Sequence, residues 1–126
     1  MKAFSRVNVL GLVALTGSSL YFSQISGRVP KFTKDQLKQA CEEGENIWIG
    51  CKGKIYDVKD NKMYSKDGSY NLFVGKDSSV ALGKMEFDDS HFQKNWKTDL
   101  SEKELKILQE WEARFEKKYP VVGLLK

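Results

Sequence analysis

A helix start and stop near the C-terminus constrains the fold of this chain most strongly. Ser101 and Glu104 form the S-x-x-E pattern of a capping box, in which each side chain satisfies a backbone amide of the first turn. Apolar residues follow at helical spacing, at Leu105, Leu108, Trp111 and Phe115. Pro120 ends the pattern because proline cannot continue a helix. The chain must therefore bury one face of this helix against another element.

Strand patterns lie upstream of that helix. Two strand-like runs, 47–49 and 54–58, flank a turn at Lys52-Gly53, so we predict that they pair as antiparallel strands. A second capping box, at Thr33, starts a shorter helix that ends at Gly44. Short helical stretches are predicted at 71–74 and 78–82. The expected class is α+β, with a small sheet at the base of short helices.

The first 22 residues have the pattern of a secretory signal. Lys2 and Arg6 form a basic start, and an apolar stretch with small residues follows from Val7 to Phe22. This stretch is shorter than the roughly 20 residues that comfortably cross a bilayer. A cleaved signal peptide and a retained signal anchor both remain open. The anchor predicts a protein of the endoplasmic reticulum membrane with its basic residues in the cytoplasm, and cleavage predicts secretion.

Charge and cysteine content exclude some functions. Without Lys2 and Arg6, 19 basic residues face 17 acidic ones, and this near balance argues against nucleic-acid binding. No glycine-rich phosphate loop, nucleophile elbow or zinc signature is present, so an enzyme is not expected. Cys41 and Cys51 are the two cysteines. Cys51 is predicted to be a small buried apolar side chain, and a disulfide between the two stays open.

Two tyrosines, Tyr64 and Tyr70, lie six residues apart on the polar loop that follows the second strand. A phenol on a loop beside a rigid strand can be held against a flat ligand. If that ligand carries Fe(III), the phenol can ionise and coordinate it, since tyrosine is a known axial haem ligand. Taken alone, the pattern is more typical of half-exposed loop packing.

Several motifs agree in order and spacing with those of one known family. They are Lys54-Ile55-Tyr56-Asp57-Val58, then Tyr64, Gly68 and Tyr70, then Phe73 to Ser79, then Trp111, Lys118-Tyr119 and Val122-Gly123. Together they resemble the membrane-associated progesterone receptor family, and within it the neudesin branch. The resemblance implies a cytochrome b5-like haem/steroid-binding fold, in which a small mixed sheet and short helices form a haem cleft. We expect a signal at 1–22, a linker at 23–31 and this domain at 32–125.

The resemblance also implies a ligand site. Tyr70 matches the axial ligand of haem b iron (Fe3+), and Tyr64 matches the tyrosine that hydrogen-bonds the ligand phenolate. Lys118 and Tyr119 match a pair that contacts the haem edge, where an ammonium would meet a propionate. The chain has a single histidine, His91, which excludes the bis-histidine iron site of electron-transferring cytochrome b5. We predict that His91 is a surface residue.

The resemblance implies binding rather than catalysis. The expected roles are a haem sensor, a haem carrier or a haem-dependent partner of a haem-thiolate monooxygenase in sterol metabolism or of a signalling receptor. A steroid or another apolar ligand, or a haem-independent interaction, is the alternative. Stacked haems imply a haem-dependent homodimer. The chain departs from the family at Ser65 and Ser69, where relatives have prolines, and at Val80, where arginine is common. These changes imply a more mobile loop and one charged contact fewer.

Overall fold

A four-stranded mixed sheet forms the base of the domain. The computed structural model describes residues 29–126, so the signal predicted at 1–22 lies outside the described residues. The strands are β1 (Lys31–Phe32), β2 (Trp48–Cys51), β3 (Lys54–Asp57) and β4 (Val121–Leu125), in the order β1-β4-β3-β2. β1 runs parallel to β4, and the other neighbours are antiparallel. The predicted α+β class with a small mixed sheet is confirmed, and Lys31, placed at the end of the predicted linker, is already part of the sheet.

Short helices complete the described part of the chain. The α-helices are α1 (Lys34–Glu42), α2 (Ser79–Lys84), α3 (Trp96–Asp99) and α4 (Glu102–Lys118). Single 3₁₀ turns cover Lys62–Tyr64, Asn71–Phe73 and Asp89–His91. Both predicted capping boxes are formed, at Thr33 before α1 and at Ser101 before α4. The sequence did not predict α3, the Asp89–His91 turn, β1 or β4.

The hairpin of β2 and β3 has the predicted pairing. Trp48 lies opposite Asp57, and Cys51 lies opposite Lys54. Lys52 and Gly53 both have positive φ, of 51° and 82°, as a two-residue type I′ turn requires. The next strand in the sheet is β4, which crosses back from the end of the chain to pair with β3. The sheet therefore joins the middle of the chain to its C-terminus.

Helix α4 packs across this sheet through its predicted apolar stripe. Leu108 and Phe115 are buried, and the Phe115 ring lies 5.4 Å from the buried Tyr56 ring of β3. Gly83 of α2 lets that helix approach closely, since a Cβ there would lie 3.1 Å from the Glu104 carbonyl oxygen of α4. α2 and α4 thus enclose the core together with the sheet.

Polar contacts also attach α4 to the hairpin. The Tyr56 hydroxyl donates a 2.6 Å hydrogen bond to the Glu116 carboxylate, which Lys54 approaches at 2.9 Å. Glu112, one turn earlier, pairs with Lys52 at 3.2 Å and with Lys54 at 3.3 Å. We call these five residues the hairpin clamp. The clamp fixes the last turns of α4 against the sheet, and therefore positions the residues that follow Lys118.

Candidate functional site

The loop that carries the two tyrosines is held by local hydrogen bonds. Asn61 caps the 3₁₀ turn of Tyr64, since its side-chain oxygen accepts from the Met63 amide at 3.0 Å. The Tyr70 amide donates to the Met63 carbonyl at 2.7 Å, which folds the loop back on itself. Gly68 is needed at this fold, because a Cβ there would overlap the Met63 carbonyl oxygen. The chain between the tyrosines is therefore a closed turn.

The two tyrosines have different environments. Tyr64 is buried, with only 6% of its surface exposed, whereas Tyr70 is exposed. Their ring centroids lie 5.6 Å apart, and both rings contact Phe73. Burial raises the pKa of the Tyr64 phenol, and the neighbouring Tyr119 and Tyr70 add to the increase. The described residues contain no hydrogen bond between the two tyrosine hydroxyls, so the pair is joined here by ring packing. Of the two phenols, Tyr70 is the one exposed to solvent.

An exposed aromatic surface extends from Tyr70. Phe87 packs on the other side of Phe73, at 5.2 Å between centroids. Tyr70 and Phe87 are each at least 40% exposed, although such rings usually bury more of their surface. We call these two rings over Phe73 the aromatic surface. Sequence reasoning missed Phe87, and its one signal was a large apolar side chain in the otherwise polar stretch 86–91.

Tyr119 lies on the other side of Tyr64. Its ring is 6.3 Å from the Tyr64 ring and perpendicular to it, and its hydroxyl accepts a 2.8 Å hydrogen bond from the Asn61 side chain. Tyr119 follows the last residue of α4, so the helix end brings it here. The structure thus brings together three of the four predicted site residues, Tyr64, Tyr70 and Tyr119, in one row of rings.

A charged depression lies beside Tyr119. Its lining includes Asp57, Asp60, Lys62 and Lys118, with Asn61, Tyr119 and Pro120 between them. Burial raises the pKa of the Asp57 carboxyl, although a hydrogen bond from the Lys59 amide opposes the increase. Neither Tyr64 nor Tyr70 lines this depression. The predicted site therefore consists of two neighbouring surfaces, the aromatic surface and the charged depression, and sequence reasoning missed Lys62 and Asn61 in the second.

The histidine is not as exposed as predicted. His91 keeps only 22% of its side chain exposed, because its Nε2 atom lies 2.9 Å from the Glu86 carboxylate and 3.9 Å from that of Asp88. His91, predicted as a surface residue, therefore lies at the surface but is only partly exposed. His91 is thus half-buried against the carboxylates of Glu86 and Asp88.

The cysteines are both free in the structure. Cys51 is fully buried in β2, as predicted, and burial raises the pKa of its thiol. Cys41 is half-buried, and its thiol donates to the Trp48 carbonyl at 3.5 Å. Burial raises the pKa of Cys41 to about 11, so this thiol stays protonated at neutral pH.

The domain has a mixed sheet covered by short helices, and its closed tyrosine turn packs on the core through Tyr64 and Phe73. This architecture is that of a cytochrome b5-like domain. The chain belongs to the family described as "Cytochrome b5-like Heme/Steroid binding domain", whose model matches residues 33–124. This match confirms both the predicted fold and the predicted resemblance.

Relatives and a solved structure support the same assignment. "Probable steroid-binding protein 3" of Arabidopsis thaliana is 42% identical over 96 residues, which cover 74% of this chain and 95% of that protein. "Membrane-associated progesterone receptor component 2" of Homo sapiens is 32% identical over 98 residues, which cover 75% of this chain and 44% of that protein. A solution structure of an Arabidopsis protein described as steroid-binding shares 40% identity and a TM-score of 0.68, covering 78% of this chain and 98% of that one.

The matches differ in how much of each relative they cover. The chain spans less than half of the length of several membrane-associated relatives that it matches. In residues 29–126, no helix combines the length and apolar character that crossing a membrane requires.

Proposed function

We propose that this domain binds ferric haem on the aromatic surface, with the Tyr70 phenolate as the single axial ligand of the iron. The observation that carries the proposal is the exposed Tyr70 ring, packed on Phe73 and continuous with the exposed Phe87 ring. A macrocycle is flat and largely apolar, so it gains most from an exposed aromatic surface with one polar group that can reach its metal.

The choice of Tyr70 over Tyr64 follows from burial. An iron ligand must be accessible and must lose its proton, and a free phenol titrates near pH ~10. Burial of Tyr64 disfavours its ionised form, whereas Tyr70 is open to a metal ion whose charge favours the phenolate. Bound haem would supply the Fe(III) that makes the ionisation of Tyr70 favourable. Tyr64 packs against Tyr70 with 5.6 Å between ring centroids, and its proposed role is to donate a hydrogen bond to the phenolate once haem is bound.

Other candidate ligands are less suitable. The Nε2 atom of His91 is paired with Glu86 at 2.9 Å, and a bond to iron would break that pair. Within residues 29–126, no group of three His, Cys, Asp or Glu side chains is arranged to hold a metal ion. Lys118 and Tyr119, which line the charged depression, are suited to the carboxylates at the haem edge, because an ammonium and a hydroxyl both donate to a propionate.

The role that fits this site is binding and signalling rather than electron transfer or catalysis. An anionic oxygen ligand stabilises Fe(III), so the site favours haem sensing, haem carriage or haem-dependent association with a partner protein. An open haem face would expose apolar surface and favour a haem-dependent homodimer or contact with a haem-thiolate monooxygenase or a receptor. We further propose that residues 1–22 direct the protein to the endomembrane system, either as an anchor or as a cleaved signal.

A hemin titration of the purified 126-residue chain tests this proposal. The expected result is saturable binding with the spectrum of tyrosinate-bound high-spin Fe(III). His91→Ala is the matched control, and it should leave the spectrum unchanged because the imidazole already has a carboxylate partner. A spectrum of free hemin, or one that disappears in His91→Ala, would contradict the proposal. Sedimentation with and without hemin measures the homodimer, and an unchanged mass at saturation would exclude it.

A steroid or another apolar ligand is the second candidate, and the names of the relatives favour it. The aromatic surface also suits a sterol ring system, since both ligands are flat and apolar. Calorimetric titration of the hemin-free chain with a steroid distinguishes the two. Steroid binding that Tyr70→Phe does not affect, together with no hemin binding, would favour this second function.

A further inference from the structure

The side chain of Asn61 connects the tyrosine loop with the end of α4. Its oxygen accepts from the Met63 amide at 3.0 Å, and its nitrogen donates to the Tyr119 hydroxyl at 2.8 Å. The two ends of this amide are not interchangeable, since a backbone N–H can only donate and so requires the oxygen. The nitrogen must therefore face Tyr119, and the Tyr119 hydroxyl must accept.

This contact determines the direction of the Tyr119 hydroxyl hydrogen. A hydroxyl has one hydrogen to donate and two lone pairs that accept. Because one lone pair is occupied by Asn61, the hydrogen of Tyr119 points away from Asn61. In the part of the chain that the structure describes, this hydrogen meets no protein acceptor. The Tyr119 hydroxyl is thus a donor with a fixed direction at the edge of the charged depression.

The depression carries charged side chains of both signs. Lys62 and Lys118 supply two ammonium groups, and Asp57 and Asp60 supply two carboxyl groups, so their formal charges cancel. With no excess positive charge, attraction for any anion is weak, and selectivity must come from a directed donor. The oriented hydroxyl of Tyr119 is such a donor, since hydrogen bonds to ionised acceptors are short and strong.

We propose that Asn61 is a positioning residue, which orients the Tyr119 hydroxyl to donate a hydrogen bond to a carboxylate of the bound ligand, between Lys62 and Lys118. The inference rests on the proposed haem function, where a propionate provides that carboxylate. Asn61 also caps the turn that carries Tyr64, so a single side chain holds the loop of the aromatic surface and the donor of the charged depression. It has no direct role in holding iron.

Asn61→Ser separates these two roles. Serine is a good capping residue and keeps an acceptor for the Met63 amide, but it is too short to reach Tyr119. Asn95→Ser is the matched control, because the Asn95 side-chain oxygen caps α3 in the same way, accepting from the Lys97 amide at 3.0 Å, and its side chain makes no second hydrogen bond within the described residues. Tyr119→Phe removes the donor itself, and Asn61→Ser with Tyr119→Phe completes a double-mutant cycle.

The measurement is the Kd for hemin and for the iron porphyrin dimethyl ester, whose carboxylates are blocked. For hemin, Tyr119→Phe should weaken binding by about tenfold to a hundredfold, as loss of a hydrogen bond to a charged group predicts. Asn61→Ser should weaken hemin binding by about threefold to tenfold. The Tyr119 hydroxyl can still donate to the ligand in this variant, but its direction is no longer fixed by Asn61. The double variant should equal Tyr119→Phe alone. For the ester, all variants should bind within about twofold of each other, since a charge-assisted hydrogen bond is no longer available.

Several outcomes overturn the inference. Additive effects of Asn61→Ser and Tyr119→Phe would show that Asn61 does not act through Tyr119. An equal loss for the ester, or an equal loss in Asn95→Ser, would show a general structural effect. No hemin binding by the unmodified chain would refute the proposed haem function and this inference together, whereas normal hemin binding with no effect of Asn61→Ser refutes the inference alone.

Discussion

Replacing each loop tyrosine by phenylalanine separates the ligand of the iron from its support. Tyr70→Phe keeps the ring that packs at 6.1 Å from Phe73 but removes the oxygen that would bind iron. Tyr64→Phe keeps the buried ring between Tyr70 and Tyr119 and removes a hydroxyl that has no hydrogen bond to Tyr70 in this structure. The two variants differ in which phenol oxygen is lost, and both preserve the packed rings.

The structure sets the expected magnitudes. Tyr70→Phe should abolish the tyrosinate spectrum and leave at most loose binding through stacking. A hydrogen bond to an ionised acceptor contributes roughly 1.5–3 kcal/mol, or about one to two powers of ten in affinity. Since the Tyr64 hydroxyl must first move to reach the phenolate, Tyr64→Phe should show the lower value, about tenfold, with the tyrosinate spectrum retained.

The stability of the ligand-free domain provides the control. Tyr70 is exposed, and the described residues show no hydrogen bond from either hydroxyl, so both variants should unfold within about 0.5 kcal/mol of the parent in urea. Hemin titrations followed by absorbance then measure binding without a contribution from unfolding. A tyrosinate spectrum that persists in Tyr70→Phe and is lost in Tyr64→Phe would reverse the roles assigned to the two residues. If both variants keep the parent spectrum, neither of these phenols is the iron ligand.

Further predictions concern the scaffold. Tyr56→Phe should lower the free energy of unfolding in urea by about 1–3 kcal/mol, because a buried hydroxyl loses its 2.6 Å bond to the Glu116 carboxylate. Burial alone would raise the pKa of Glu116, but hydrogen bonds from Tyr56 and Lys54 outweigh burial and lower the pKa. The clamp therefore stabilises the fold above the unfolded glutamate pKa of about 4.3. This stabilisation is lost as the pH falls below that value. Urea titrations from pH 6 to 3 should therefore show a smaller pH dependence in Tyr56→Phe, and an equal dependence would contradict the assignment. Gly68→Ala should lower both the thermal midpoint and hemin affinity, because its Cβ overlaps the Met63 carbonyl, and a parent-like melting curve would contradict it.

The sequence predicted elements whose signals are local. The capping boxes at Thr33 and Ser101 specify helix starts through contacts three residues apart, and both helices begin there. The Lys52-Gly53 turn specified the hairpin in the same way. β4 was missed because Val121–Leu125 has no polar alternation and becomes a strand only by pairing with β3, more than sixty residues away. A short apolar run of this kind fits a buried strand or a buried helix segment equally well, and only the pairing decides between them.

In the candidate site, too, local features were predicted from the sequence and nonlocal contacts were not. Tyr64 and Tyr70 are close in sequence, and the resemblance to a family gave them roles that their spacing alone did not. The contact between Asn61 and Tyr119 joins residues 58 positions apart, and no pattern within either segment indicates it. Phe87 becomes part of the aromatic surface only because the Asp89–His91 turn and Phe92 return the chain to Phe73. The resemblance therefore supplied Lys118 and Tyr119 as well as the two loop tyrosines, whereas Asn61 and Phe87, which the tertiary fold adds, were missed.

The two surfaces of the site depend on different parts of the fold. Tyr70 is held by its own loop, through the Met63 carbonyl and the close turn at Gly68. Tyr119 follows α4, and the hairpin clamp ties that helix to the sheet at Glu116, one turn before it. One surface is thus set by local backbone bonds and the other by the packed scaffold. Asn61 links the tyrosine loop to Tyr119, through the Met63 amide and the Tyr119 hydroxyl. A ligand that contacts the two surfaces would therefore be recognised only when the loop is correctly placed on the scaffold. Its binding should depend on the fold of the whole domain rather than on the tyrosine loop alone.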